Sequence, residues 1–114
     1  MKIIISGTVD IDPEQMEAAM TAAKPLIEGA LTQEGIMDYD WCPDPLTPGR
    51  IRVFERWESQ QALENHFNNH WYQDMRMALA QFSIRGADVL KYRIDVAEPV
   101  YDETGTARAD FFTA

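Results

Sequence analysis

Between Arg50 and Glu58 the chain puts large apolar side chains on both sides of one extended segment. Ile51, Val53 and Trp57 fall on one face, while Phe54 lies between Arg52 and Arg56 on the other, because successive strand residues point in opposite directions. A sheet with one face in water needs apolar groups on the other face only. The segment therefore predicts a sheet covered on both sides.

The remaining periodicities supply one of the covers. Lys2 to Val9 reads as a strand, with Ile3, Ile5 and Val9 on one face. Asp12 offers a helix cap, Pro13 suits the first helical position, and Gln15 stands at the capping-box position. Met16, Ala19, Met20, Ala23, Leu26, Ile27 and Ala30 follow at helical spacing. Pro25 removes a backbone donor inside that run and predicts a kink or a loosened turn. From Ile36 to Cys42, Met37, Tyr39 and Trp41 alternate with Asp38 and Asp40, before a loop punctuated by Pro43, Pro45, Pro48 and Gly49. Ser59 caps a short helix bearing Leu63, His66 and Phe67. Asn68 and Asn69 bend or interrupt it, and Trp71, Met75, Leu79 and Phe82 continue a helical stripe. After Gly86, Leu90, Tyr92, Ile94 and Val96 alternate with Lys91, Arg93 and Asp95 in a last strand.

The order is β-α-β-β-α-β, the split arrangement of the α+β ferredoxin-like folds, with a four-stranded antiparallel sheet and helices on one side. Residues 1–97 form the expected domain and 98–114 a polar tail. In a chain of 114 residues the simplest cover for the other sheet face is the same face of a second copy, so a homodimer is expected.

Nineteen acidic residues against 10 basic ones give a net charge of −9. That disfavours nucleic acid and anionic membrane, whose phosphates require clustered cations. Cys42 is alone, so no internal disulfide forms, and a small buried hydrophobe is its expected role. The apolar run Ile3-Ile4-Ile5 is too short for a signal peptide or a membrane span, and a cytoplasmic location is the default.

Arg52-Val53-Phe54-Glu55-Arg56-Trp57-Glu58-Ser59, then Ala62-Leu63-Glu64-Asn65-His66-Phe67, and then Trp71-Tyr72 through Met75, resemble the central motif of the antibiotic-biosynthesis monooxygenase family, a dimeric α/β-barrel group that includes quinol monooxygenases. The resemblance covers residues 2–96. It implies a homodimer with sheets packed face to face and a pocket between sheet and helices in each subunit. Some members oxidise phenols or anthrones with O₂ and no bound cofactor, others act on smaller quinols, and one branch binds and degrades haem. The haem branch has a Trp and, ten residues later, an axial His where this chain has His66 and Arg76. An Arg is no substitute for a neutral imidazole ligand. Anthrone-oxidising members place an Asn, a Trp and sometimes a Tyr where Ala62, His66 and Tyr72 stand here, so only the Tyr matches. A smaller aromatic substrate fits better.

Oxidation without a cofactor requires an electron-rich phenolate or enolate, hence a base, a donor to hold the anion and a dry aromatic pocket. His66 shares the apolar stripe with Leu63 and Phe67 and is the first candidate for the base; the alternative is a core His bonded to Glu55 or a carbonyl. Glu55 breaks an apolar face and serves either as an inward carboxylate or in a surface cross-strand pair. Arg76 is a candidate oxyanion partner, and Tyr72, Trp57, Tyr39 and Trp71 are candidate walls, each also an ordinary packing residue. His66 and His70 have chelating spacing but no third ligand, and no Gly-rich phosphate loop is present. No metal, haem or flavin is expected. The resulting expectation is a cofactor-independent oxidoreductase acting on a small phenolic or quinol-like compound and O₂. Its rivals are a non-catalytic barrel that binds a small ligand or serves in stress response, and a lactone isomerase or cyclase of the same shape.

Overall fold

The computed structural model describes residues 1–112; the tail's last two residues, Thr113 and Ala114, lie outside the described residues. Strands β1 (Lys2–Asp10), β2 (Ile36–Pro43), β3 (Arg50–Trp57) and β4 (Gly86–Ile94) form one antiparallel sheet in the order β2-β3-β1-β4. Helix α1 (Met16–Ala30) joins β1 to β2, and α2 (Gln60–Phe67) and α3 (His70–Ala80) join β3 to β4. This is the α+β ferredoxin-like fold expected from the sequence, with the second helical segment in two pieces.

Local chemistry explains most of the boundaries. Asn69 interrupts the second helical segment by accepting a hydrogen bond from the Trp71 amide at 3.1 Å, which makes it the cap of α3. Ser59 caps α2 in the same way through the Ala62 amide. Asp12 caps a short 3-10 turn, Pro13–Gln15, that leads into α1. The capping-box expectation fails at Gln15, whose side-chain oxygen is buried without a partner among the described residues. A 3-10 turn winds more tightly than an α-helix, so Gln15 is not carried back to the Asp12 amide. Pro25 does not end α1, which runs through it. Pro25 and Thr21 are exposed, so water can serve the Thr21 carbonyl that the proline leaves without a donor.

The core lies between one sheet face and the helices. Ile5, Val9, Ile51, Val53, Trp57 and Tyr39 meet Ala19, Ala23 and Ala30 of α1, Leu63 of α2, and Met75 and Leu79 of α3. Small residues let α1 approach closely. A methyl group on Gly29 would come within 2.5 Å of the Trp71 ring, so the absence of a side chain there is what seats Trp71 between α1 and α3. Gly7 acts likewise within the sheet, where a Cβ would fall 2.0 Å from the Asp88 carbonyl oxygen.

On the other sheet face Arg50, Arg52 and Arg56 pair with Asp10, Asp44 and Asp38. Cys42 corrects the sequence expectation, since it is exposed rather than buried. It neighbours Arg52 on this outward face, beyond the reach of the helices. Beyond β4 the tail folds a small turn, with a Tyr101–Ala107 bridge and Asp102 accepting from the Thr104 and Thr106 amides. Among the described residues no helix is long and apolar enough to cross a membrane.

Candidate active site

The strand register decides which side chains face the helices. Tyr39, Glu55, Ile5 and Lys91 lie in one row across β2, β3, β1 and β4, and Trp57, Ile3 and Arg93 lie in the next row along. Glu55 therefore points inward from the middle of the sheet and is only 5% exposed. Its Oε1 accepts a hydrogen bond from Trp57 Nε1 at 2.9 Å. Burial penalises the carboxylate and pushes its pKa up to about 7, with the Trp57 bond pulling the other way.

His66 is 1% exposed and sits behind Glu55's strand neighbour. Its ring centre is 4.6 Å from that of Trp57, and Tyr39 and Tyr72 stand edge-on at 5.5 Å each. Nδ1 lies 2.6 Å from Gln33 Oε1. An amide oxygen only accepts, so Nδ1 carries the proton and Nε2 is left as the acceptor. Burial lowers the His66 pKa to about 4, so the ring is neutral near pH 7. Burial and the nearby Glu55 together raise the Tyr39 hydroxyl above its usual range, keeping it protonated.

In front of this cluster lies a cleft of ≈ 1320 Å³. Ile3, Ile5, Val53 and Glu55 form its floor, Leu63, Phe67 and Tyr72 its helical wall, Trp41 one flank, and the Val89–Arg93 stretch of β4 the other. Its volume exceeds the ~300–1,000 Å³ usual for ligand sites, and β4 is exposed along almost its whole length. Apolar walls around one elevated carboxyl group suit the removal of a proton from a small aromatic molecule.

Of the residues picked from the sequence, Glu55 and Tyr72 line the cleft. His66, Trp57 and Tyr39 form the buried layer behind it. Trp71 is elsewhere, packed on Gly29. Arg76 is exposed, its guanidinium 5.9 Å from the Tyr72 ring centre. His70 is exposed on α3 and pairs with Asp74, apart from His66, and among the described residues no three His, Cys, Asp or Glu side chains gather as a metal site. The sequence reasoning missed Gln33, Trp41, Lys91 and Arg93. Nothing local marks Gln33, a polar residue in a linker. The two cations were visible, but only the register sets them on the helix side.

His66→Ala is expected to cost about 3 kcal/mol of stability, from the cavity beside Trp57 and the unpaired Gln33 amide. Urea unfolding measures this. A loss below about 0.5 kcal/mol would show that His66 is not the packed keystone described.

The family model described as Antibiotic biosynthesis monooxygenase matches residues 2–78. A curated, uncharacterized protein from Synechocystis sp. is 21% identical over 92 residues, and the match takes in 81% of this chain. The chain spans 63% of that relative's length. A solved structure of a conserved protein from Methanosarcina mazei is 22% identical, with a TM-score of 0.74, covering 82% of this chain and 92% of its own. A candidate antibiotic biosynthesis monooxygenase from Deinococcus radiodurans is 17% identical, with a TM-score of 0.79 and coverage of 88% and 99%. Another, from Nitrosomonas europaea, is 18% identical, with a TM-score of 0.73 and coverage of 84% and 100%. At such identities the structural likeness is one of fold.

Proposed function

The chain belongs to the antibiotic biosynthesis monooxygenase family, and from that premise we propose that it is a cofactor-independent monooxygenase of a small phenol or quinol, working as a homodimer. The observation that carries the reading is Glu55, a buried carboxyl with its pKa raised to about 7 on the floor of an apolar, aromatic-walled cleft. Such a group is a base strong enough to accept a phenolic proton and is half-ionised at neutral pH.

The reaction follows from general chemistry. Glu55 accepts the hydroxyl proton, and the phenolate passes one electron to O₂. The phenoxyl radical and superoxide join at a ring carbon bearing hydrogen, and the peroxide takes up the proton held by Glu55. Loss of that carbon's hydrogen as a proton then breaks the O–O bond, leaving a quinone carbonyl and water. One O₂ is consumed and one water released per quinone formed. In this reading Tyr72 and Phe67 hold the ring, and Leu63 and Val53 keep water out. His66 is a positioning residue, fixing Trp57 and through it the Glu55 carboxylate.

Oxygen uptake across a panel of phenols and quinols tests the proposal. The expected result is stoichiometric O₂ consumption with a quinone product and no hydrogen peroxide. Failure of every panel member to consume oxygen, with the protein folded, would overturn it. Isomerisation of a lactone without oxygen uptake would establish the rival use of the same base.

A further inference from the structure

We infer that the cleft is built for an aromatic molecule carrying a negative charge, and that Lys91 and Arg93 form the subsite for that charge. The inference rests on the reading of the cleft as the substrate site and narrows its substrate class to phenolic acids.

Three observations converge. Lys91 and Arg93 both line the cleft. They are two residues apart on β4 and so share one face of it, the face that carries Ile3, Ile5 and Glu55 on the neighbouring strands. Neither makes an ion pair with any described residue, a state shared with Lys2, Lys24 and Arg76, but of these five cations Lys91 and Arg93 are the two that line the cleft. In a chain with 19 acidic and 10 basic residues, the cleft wall thus carries two neighbouring cations with no carboxylate paired to either. Glu64 also borders the cleft, yet pairs with neither.

The geometry gives the two ends of a ligand. Lys91 lies in the same cross-strand row as Glu55, with only Ile5 between them. Two strand spacings separate their backbones, about 10 Å. A ring laid over Ile3 and Ile5 thus presents one end to the Glu55 carboxyl and the other to the cations. A hydroxyl suits the first end and a carboxylate the second. Arg93 can hold a carboxylate through two parallel hydrogen bonds, and Lys91 adds a compact charge.

Binding of two redox-inert probes to the full chain tests this without reference to turnover. The probes are 2-naphthoate and the neutral 2-naphthamide, titrated by calorimetry at low salt. The naphthoate is expected to bind about tenfold more tightly than the amide, and Lys91→Gln/Arg93→Gln should erase that difference, the acid losing far more affinity than the amide. Lys91→Glu/Arg93→Glu should weaken naphthoate binding further. Both positions are exposed, and a circular dichroism spectrum confirms that each variant folds. Equal affinity of acid and amide, or acid binding unchanged in both double variants, would overturn the subsite. Discrimination as expected, with no oxygen uptake from any hydroxy-aromatic acid, would uphold it and sink the monooxygenase reading instead.

Discussion

Glu55→Gln is expected to slow oxidation by roughly 10²–10⁴-fold, the usual worth of a positioned general base, while the fold survives. The amide keeps an oxygen for Trp57 Nε1 to donate to, so the loss isolates proton transfer from packing. In the wild-type chain the rate should climb with pH and level off above about 7, where the carboxyl is ionised. That inflection should vanish in the variant. A variant with full activity, or one that keeps the inflection, would remove Glu55 from the role.

The same substitution changes stability in a direction that can be worked out. Glu55 has its pKa raised from 4.5 to about 7. The native state then holds a proton that the unfolded chain has released, so stability falls as pH rises between those values. His66 has its pKa lowered from 6.5 to about 4. There the unfolded state binds the extra proton, so stability rises with pH and is lost as pH falls toward 4. Each effect is on the order of 3 kcal/mol, and they oppose each other between about pH 4.5 and 6.5. Glu55→Gln removes the falling branch. Its urea midpoint should therefore climb across that interval, and it should exceed the wild-type midpoint at pH 8. Parallel profiles for the two proteins would show that Glu55 is not buried in the way described.

The helix-facing side of this arrangement is largely legible in the sequence. The face of the Arg50–Glu58 strand that carries Ile51, Val53 and Trp57 is buried as its pattern predicted, and Glu55 stood out as the one charge on it. Burial of that face follows from the periods of the flanking helices. Less visible was anything set by pairing between distant strands. The alternation after Gly86 separates Leu90 and Tyr92 from Lys91 and Arg93, but either set satisfies it. The more apolar set suggests a core face, yet β1 pairs Ile4 with Tyr92 and Ile5 with Lys91, and so turns the cations toward the helices. A register shift between Ile36 and Asp38 does similar work in β2, leaving Met37 without a partner on β3 and setting Tyr39 beside Glu55. Gln33 gave no signal because its contact with His66 spans 33 positions. Trp71 misled for a physical reason, since its place was prepared by the missing side chain of Gly29 on another helix.

Phe54→Glu/Leu90→Glu is expected to convert a homodimer into monomers, raising the dissociation constant by roughly 10³-fold. Both residues lie on the sheet face away from the helices, on either side of Ser6 in one cross-strand row, with Leu90 on the edge strand, where it also borders the rim of the cleft. Phe54 is 36% exposed, Leu90 55% and nearby Tyr92 50%. Water-facing apolar groups on β3 and on the long exposed edge strand β4 are a liability for a monomer and an interface for a pair. A two-fold axis parallel to the sheets and midway between them would set each patch on its own copy, as closed symmetry requires. Truncating a central apolar anchor costs at least about 2 kcal/mol, and facing like charges add to that, which gives the stated shift at 1.4 kcal/mol per tenfold. Neither residue touches Glu55 or His66 in the described network, so the variant should keep its secondary structure by circular dichroism. Sedimentation at micromolar concentration decides the matter. A wild-type chain that sediments as a folded monomer would show that the outer face is not an interface between copies, and a double variant that stays dimeric would place the interface elsewhere.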